Sequence, residues 1–310
     1  MALTFQKAIK RQLKLRMTLD GPTGCGKTYT ALLFATEIVK RQGGRIAVID
    51  TENRSASKYA DLFDFDVLEL SDFDPRHYIQ GMGEAAEAGY TVLIIDSLTH
   101  AWSGTGGILD MHDNATRKQR TENSYTAWRE VTPLHNELVE ALVRCPIHLI
   151  TTMRSKMEYV LNEIEDNGRK RTQVERVGMK PVQREGIEYE FDVICDMDID
   201  HRLIVTKSRC HVVADKQVLR PGGEFIHPVL DWLESGEEAH WATIPANQQA
   251  IKTAMTEAGI DFREALKALG DIARFSDYLG TLDEAKQAIS RYVDAKAEAE
   301  AKAEQETVGL

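Results

Sequence analysis

Only four cysteines, Cys25, Cys145, Cys195 and Cys210, stand in 310 residues, and no C-x-x-C pair occurs among them. That spacing excludes a disulfide framework and a zinc finger and suits a reduced compartment, so a cytoplasmic protein is expected. Long apolar runs are missing too. None approaches the roughly 20 residues of a membrane span, and the start MALTFQKAIKRQLK lacks an apolar signal core. Positive charge is short overall: 38 lysines and arginines face 49 acids, a net charge of −11. A general basic coat for nucleic acid is thereby excluded, though a local basic groove is not. The nine histidines include no pair at i, i+4 on a shared helix face, which speaks against a metal centre of that kind. Nor is there a G-x-S-x-G nucleophile elbow. What is present is 43% hydrophobic residues, enough to bury a sizeable core without staples.

The chain divides by pattern. Residues 1–14 form a basic arm, with Lys7, Lys10, Arg11 and Lys14 and no acid. Residues 15–235 alternate short β-branched runs with amphipathic stretches. Strands are expected at 16–19, 45–49, 92–95 and 148–151, apolar on both faces as buried parallel strands are. Helices are expected at 27–41, 75–88 and 125–144. This alternation predicts an α/β fold with a mostly parallel sheet wrapped on both faces. Residues 101–123 have no clear period and are expected to be a long loop. The runs 159–163 and 171–176 flank Asp166-Asn167-Gly168, a turn signal, so a protruding hairpin is expected. Runs at 193–197 and 203–206 read as antiparallel strands closing the sheet edge. A linker at 236–246 leads to a small helical domain, 247–310, with helices expected at 247–269, 271–279 and 282–303 and a frayed, acid-rich end.

One motif is specific. Gly21-Pro22-Thr23-Gly24-Cys25-Gly26-Lys27-Thr28 matches G-x-x-x-x-G-K-[ST] between an expected strand and an expected helix. Glycines let backbone N–H groups turn in around phosphate oxygens, and the helix adds the positive end of its dipole. Lys27 neutralises β- and γ-phosphate charge, and the Thr28 hydroxyl ligates Mg²⁺, so ATP and Mg²⁺ are the expected ligands. Cys25, at a helix start, is read as a small filler with a thiol open to alkylation. Val92-Leu93-Ile94-Ile95-Asp96 is an apolar strand ending in an acid at the same edge, which would hold the Mg²⁺. Ile46–Ile49 ends in Asp50-Thr51-Glu52, where a carboxylate could deprotonate the attacking water. Glu52 is the candidate and Asp50 the competitor.

Together, the DTE after the second strand, the strand ending in Asp96-Ser97 and the late Lys207-Ser208-Arg209 resemble the RecA-like recombinase ATPases. Within these, the set is most similar to the phage-encoded branch implicated in single-strand annealing and recombination. The resemblance spans about residues 15–210. It implies a RecA-like P-loop NTPase core with antiparallel edge strands and a small C-terminal helical domain. It also implies DNA-stimulated ATP hydrolysis at subunit interfaces of a homo-oligomeric ring or filament around single-stranded DNA, in the cytoplasm of a bacterial host. By that resemblance Glu52 is the catalytic glutamate and Tyr59 stacks on adenine. Thr152 takes the place of a γ-phosphate-sensing glutamine, and Lys207 and Arg209 reach a neighbour's ATP. The two DNA-binding loops of the family correspond to 101–123, with Arg117, Lys118 and Arg120, and 154–186, with Arg169, Lys170 and Arg171. Trp102, Tyr125 and Tyr159 are candidate stacking faces for bases. Phe5 and Ala8 have the Phe-x-x-Ala spacing by which some recombinases plug into an adjacent subunit. The acidic C-terminal domain is a candidate site for a single-strand-binding protein. A helicase-like ring motor and a regulatory or defence NTPase that recruits a protein are the alternatives.

Overall fold

The computed structural model describes residues 8, 10–118, 124–166, 169–236, 242, 245–272, 274, 275, 278 and 280–308, with the backbone alone for 157–178, 245, 246 and 300–308. Two compact units emerge, residues 13–235 and residues 1–12 with 236–310.

In the larger unit β1 (Arg16–Gly21) feeds α1 (Lys27–Gln42), then β2 (Ile46–Asp50), β3 (Asp66–Glu69), α2 (Pro75–Glu87) and β4 (Val92–Asp96). Next come α3 (Thr99–Ser103), α4 (Ile108–Lys118), α5 (Ser124–Arg144), β5 (His148–Asp166) and β6 (Arg169–Pro181). β7 (Val193–Met197), β8 (Arg202–Ser208), β9 (Gln217–Leu219) and α6 (His227–Glu234) finish the unit. The sheet order is β3-β2-β4-β5-β1-β7-β8-β9. The first six strands in this order are parallel; β8 pairs antiparallel to β7, and β9 antiparallel to β8. The expected α/β class, with antiparallel strands at one edge, is therefore present.

Side chains alternate across the strands, and helices cover both faces. Met17, Leu19 and Ile94 pack with Leu32, Phe34 and Ile38 of α1 and Val229, Leu230 and Leu233 of α6. Leu93, Ile95 and Leu149 meet Tyr78 and Met82 of α2 and Leu138 and Leu142 of α5 on the other face. Because both faces are filled, the strand carboxyl ends, where the loops emerge, are left to build a site.

Several expectations are corrected. Residues 101–123 are not a featureless loop: α3 and α4 occupy most of it. Ile108, His112 and Ala115 form the buried face of α4, and a histidine in that face hid the apolar period. β7 and β8 pair antiparallel as expected, while β7 also pairs parallel to β1, and β9 reverses again against β8. β3 has all four residues exposed, so no apolar run announced it. The hairpin strands are far longer than expected, since β5 continues out of the sheet and pairs with β6 from Ser155 opposite Pro181 to Asp166 opposite Arg169. Asn167 and Gly168 of its turn, like Arg120 and Phe5, lie outside the described residues.

The smaller unit contains α7 (Pro245–Glu257), α8 (Phe262–Ala268) and α9 (Leu282–Val308) around Ile251, Ala265, Leu269, Ala285 and Ile289. The single helix expected over 247–269 is broken where Gly259 takes φ +67° and Asp261 restarts the chain with a reciprocal cap to Glu264. The described residues of 271–279 form no α-helix. α9 runs on to Val308, past the expected end at 303.

Candidate nucleotide-binding site

β1 ends at Gly21 and α1 begins at Lys27, so the loop between them lies at the carboxyl edge of the sheet. Gly24 and Gly26 sit at φ +83° and +96°, a region that excludes most side chains. At Gly21 a Cβ would lie 2.4 Å from the Met197 carbonyl oxygen. Gly26 supplies no side-chain cap, so the first N–H groups of α1 face the loop without a side-chain acceptor. Such a turn accepts an anion. The Lys27 ammonium folds over it, donating to the Gly21 and Pro22 carbonyl oxygens at 2.9 and 2.8 Å. These features fit a nucleotide polyphosphate.

Asp96 ends β4 beside this loop and is buried. Its Oδ2 accepts from the Thr28 hydroxyl at 2.6 Å and its Oδ1 from the Thr152 hydroxyl at 2.5 Å. Burial pushes the carboxyl up, against the pull of these two bonds. Thr28 and Asp96, two oxygen donors side by side, fit a Mg²⁺ ion bound with phosphate. Thr152 is wholly buried under Asp96 and does not line the open cavity. The sensing role expected for it has no side-chain atom facing the phosphate loop.

The choice between Asp50 and Glu52 has a geometric answer. Asp50 is buried, and its two oxygens accept from the Glu52 and Ala56 backbone N–H groups at 2.7 and 2.9 Å. It clips the loop after β2. That clip turns Glu52 into a cavity of about 760 Å³ that Lys27, Thr28, Asp96 and Arg154 also line. Arg154 Nε donates to Glu52 Oε1 at 2.8 Å, and its NH2 donates to Oε2. Burial pushes Glu52 up, but the Arg154 hydrogen bond and charge outweigh it and hold the carboxyl below its ordinary value. The sequence reading assigned Arg154 to the DNA loop, because the strand's length concealed that residue 154 still belongs to the sheet edge.

The same cavity continues past Thr23 and Tyr29 to Tyr59, His201 and Arg220. Tyr29 lies with its ring centroid 5.8 Å from that of Tyr59 and 5.4 Å from Phe63. Tyr59 thus lines the cavity beside a second aromatic ring. His201 Nδ1 lies 3.0 Å from the Cys25 carbonyl oxygen. Tyr29, His201 and Arg220 carried no recognisable motif. Cys25 is fully buried and burial pushes its thiol up, so the expected sensitivity to alkylation is not supported.

A family model described as an AAA domain matches residues 13–217, well over half of the chain. The chain belongs to the AAA domain family. Comparison with curated proteins finds no match. A KaiC-like protein of the archaeon Pyrococcus horikoshii OT3 is similar over 65% of this chain and 82% of that one, at 15% identity and a TM-score of 0.39. The P-loop, Asp96 and the family together make this AAA domain a P-loop ATPase domain, a class that binds nucleotide, usually with Mg²⁺.

Elsewhere in the AAA domain the expected site residues scatter. Lys207 Nζ donates to the carbonyl oxygens of Glu188, Tyr189 and Phe191 at 2.8, 2.8 and 2.9 Å. Arg209 pairs with Asp192 at 3.1 Å. Neither lines the Lys27 cavity. Arg117 and Lys118 are exposed at the end of α4, and Arg169, Lys170 and Arg171 begin β6. Trp102 stacks on Trp128 at 5.9 Å and packs against the α3–α5 cluster.

Asp20, one residue before the loop, is buried with Oδ2 unpartnered, while Oδ1 accepts from the Thr18 hydroxyl at 2.8 Å. Burial pushes its carboxyl up to about 8. A carboxyl raised above its unfolded value of 3.8 gives stability that is complete below that pH and is lost as pH rises through about 8. Thermal melts from pH 4 to 9 should therefore show wild type losing ground to Asp20→Asn as pH rises. Parallel curves would contradict this.

Proposed function

We propose that the chain is an ATP-hydrolysing, oligomeric P-loop protein that acts on single-stranded DNA in recombination or annealing. The observation that carries this reading is the path of β5. It passes Thr152 beside Asp96, then Arg154 in the nucleotide cavity, and continues without a break into the β5–β6 hairpin. The basic run Arg169-Lys170-Arg171 opens the return strand. A single strand linking phosphate site and basic hairpin lets nucleotide state bias DNA contact, and basic loops on an acidic protein suffice for phosphate binding.

In the reaction a water gives its proton to Glu52 while its oxygen bonds to the γ-phosphorus. The bond from that phosphorus to the β–γ bridging oxygen breaks, and its electron pair stays on ADP. Lys27 and the α1 N-terminus stabilise the charge that gathers there. Thr28 and Asp96 would hold a Mg²⁺ ion, which would supply Lewis-acid neutralisation of the phosphates. Lys207 and Arg209 act on a neighbour's nucleotide once assembly draws them from their own-chain partners.

ATPase rates with and without single-stranded DNA test the reading. Stimulation by DNA, reduced in a Lys170→Ala, Arg171→Ala double variant together with the salt dependence of DNA binding, is the expected result. A rate indifferent to DNA would point instead to the protein-recruiting NTPase, and ATP-driven opening of a forked duplex to the motor.

A further inference from the structure

We propose that Arg154 is a two-position switch, holding Glu52 out of action in the nucleotide-free site and moving to the γ-phosphate when a triphosphate binds. This rests on the reading of the cavity as an ATP site and adds a catalytic residue that no motif marks.

Three observations point to it. The Arg154 guanidinium grips both oxygens of Glu52 through two of its N–H groups. A carboxylate held in this way is a poor proton acceptor, because the cation beside it stabilises its charged form. Second, the cavity that receives the polyphosphate is lined by Arg154 itself together with Lys27, Thr28 and Asp96. A planar cation there has two competing anions within one pocket, a single carboxylate charge and a phosphate of higher charge, and its fork matches either. Third, the backbone is fixed while the side chain, held by Glu52 alone among the described residues, is part exposed. The Arg154 N–H donates to the Thr99 hydroxyl at 2.9 Å, and its carbonyl accepts from the Val182 N–H at 2.7 Å. The side chain is 43% exposed, against 21% for Glu52.

The move has two consequences. Arg154 adds positive charge where the transferring phosphate gathers negative charge, a task the buried Thr152 cannot perform. Glu52, released, regains the basicity of an ordinary carboxylate at the moment a γ-phosphate is present to be attacked. A diphosphate offers nothing at that position and leaves the ion pair closed. The site is then inactive when empty and after product formation.

Calorimetric titration with Mg²⁺ and a non-hydrolysable ATP analogue, and separately with ADP, tests the switch. In Arg154→Ala the analogue should bind about 10–100-fold more weakly, the loss of a charge-assisted contact to one phosphate, while ADP affinity stays within about twofold. The ATPase rate of the variant should fall. Equal changes for both nucleotides, or none for either, would overturn the proposal, as would a variant that hydrolyses ATP faster than wild type. Should Arg154→Ala fail to fold, Arg154→Lys serves. A point charge cannot make the paired contact, so part of the preference for the triphosphate should go, and an unchanged preference would overturn the proposal. Wild type that binds neither nucleotide would instead reject the ATP site itself.

Discussion

Replacing Glu52 with glutamine is expected to lower ATP hydrolysis by about 10²–10⁴-fold, the range for loss of a positioned general base, while ATP still binds. The substitution keeps the shape of the side chain and removes only its capacity to take a proton. Asp50, the other acid of the loop, cannot stand in, since both its oxygens hold backbone N–H groups. Asp96 cannot either, being buried between two hydroxyl donors. Steady-state phosphate release, with nucleotide binding measured in parallel, checks this. Equal rates for wild type and Glu52→Gln would remove Glu52 as the base.

Lys27→Ala should act at an earlier stage. The ammonium lies on the loop carbonyls of Gly21 and Pro22, poised over a turn whose glycines and helix start are arranged for an anion. Without it the polyphosphate keeps the backbone N–H groups but loses its fixed countercharge. Losing one preorganised donor of this kind costs about 10²–10³-fold in rate, and here nucleotide affinity should fall as well. The contrast between the two variants is diagnostic: Lys27→Ala loses binding and turnover together, Glu52→Gln turnover alone.

Much of this was legible in the sequence because parallel strands buried on both faces leave continuous apolar runs, and each run ends at the residue that does chemistry. Gly21 and Asp96 end β1 and β4, and Glu52 lies two positions past the end of β2. The P-loop states its own geometry through its glycines. What stayed hidden had physical reasons. β3 is exposed at the sheet edge, so selection for burial left no pattern. α4 buries a histidine where an aliphatic residue would have revealed its period. Arg154 sits two residues beyond a buried threonine, at a point where nothing in the sequence separates the sheet from the hairpin. Its pairing with Glu52 joins residues 102 apart in the chain, and only the strand order β2-β4-β5 places them side by side. The same holds for Lys207 and Arg209. A motif match gave their spacing, but their hydrogen bonds to the 188–192 segment are tertiary facts.

The central claim is that the strand ends and the P-loop form one triphosphate site. A crystal structure with a non-hydrolysable ATP analogue and Mg²⁺ tests it most directly. The account predicts β- and γ-phosphates over the α1 N-terminus against Lys27, the metal beside Thr28 and Asp96, Glu52 facing the γ-phosphate, and Arg154 turned from Glu52 to the γ-phosphate. Nucleotide seated elsewhere, or a γ-phosphate beyond reach of Glu52 and Lys27, would contradict it.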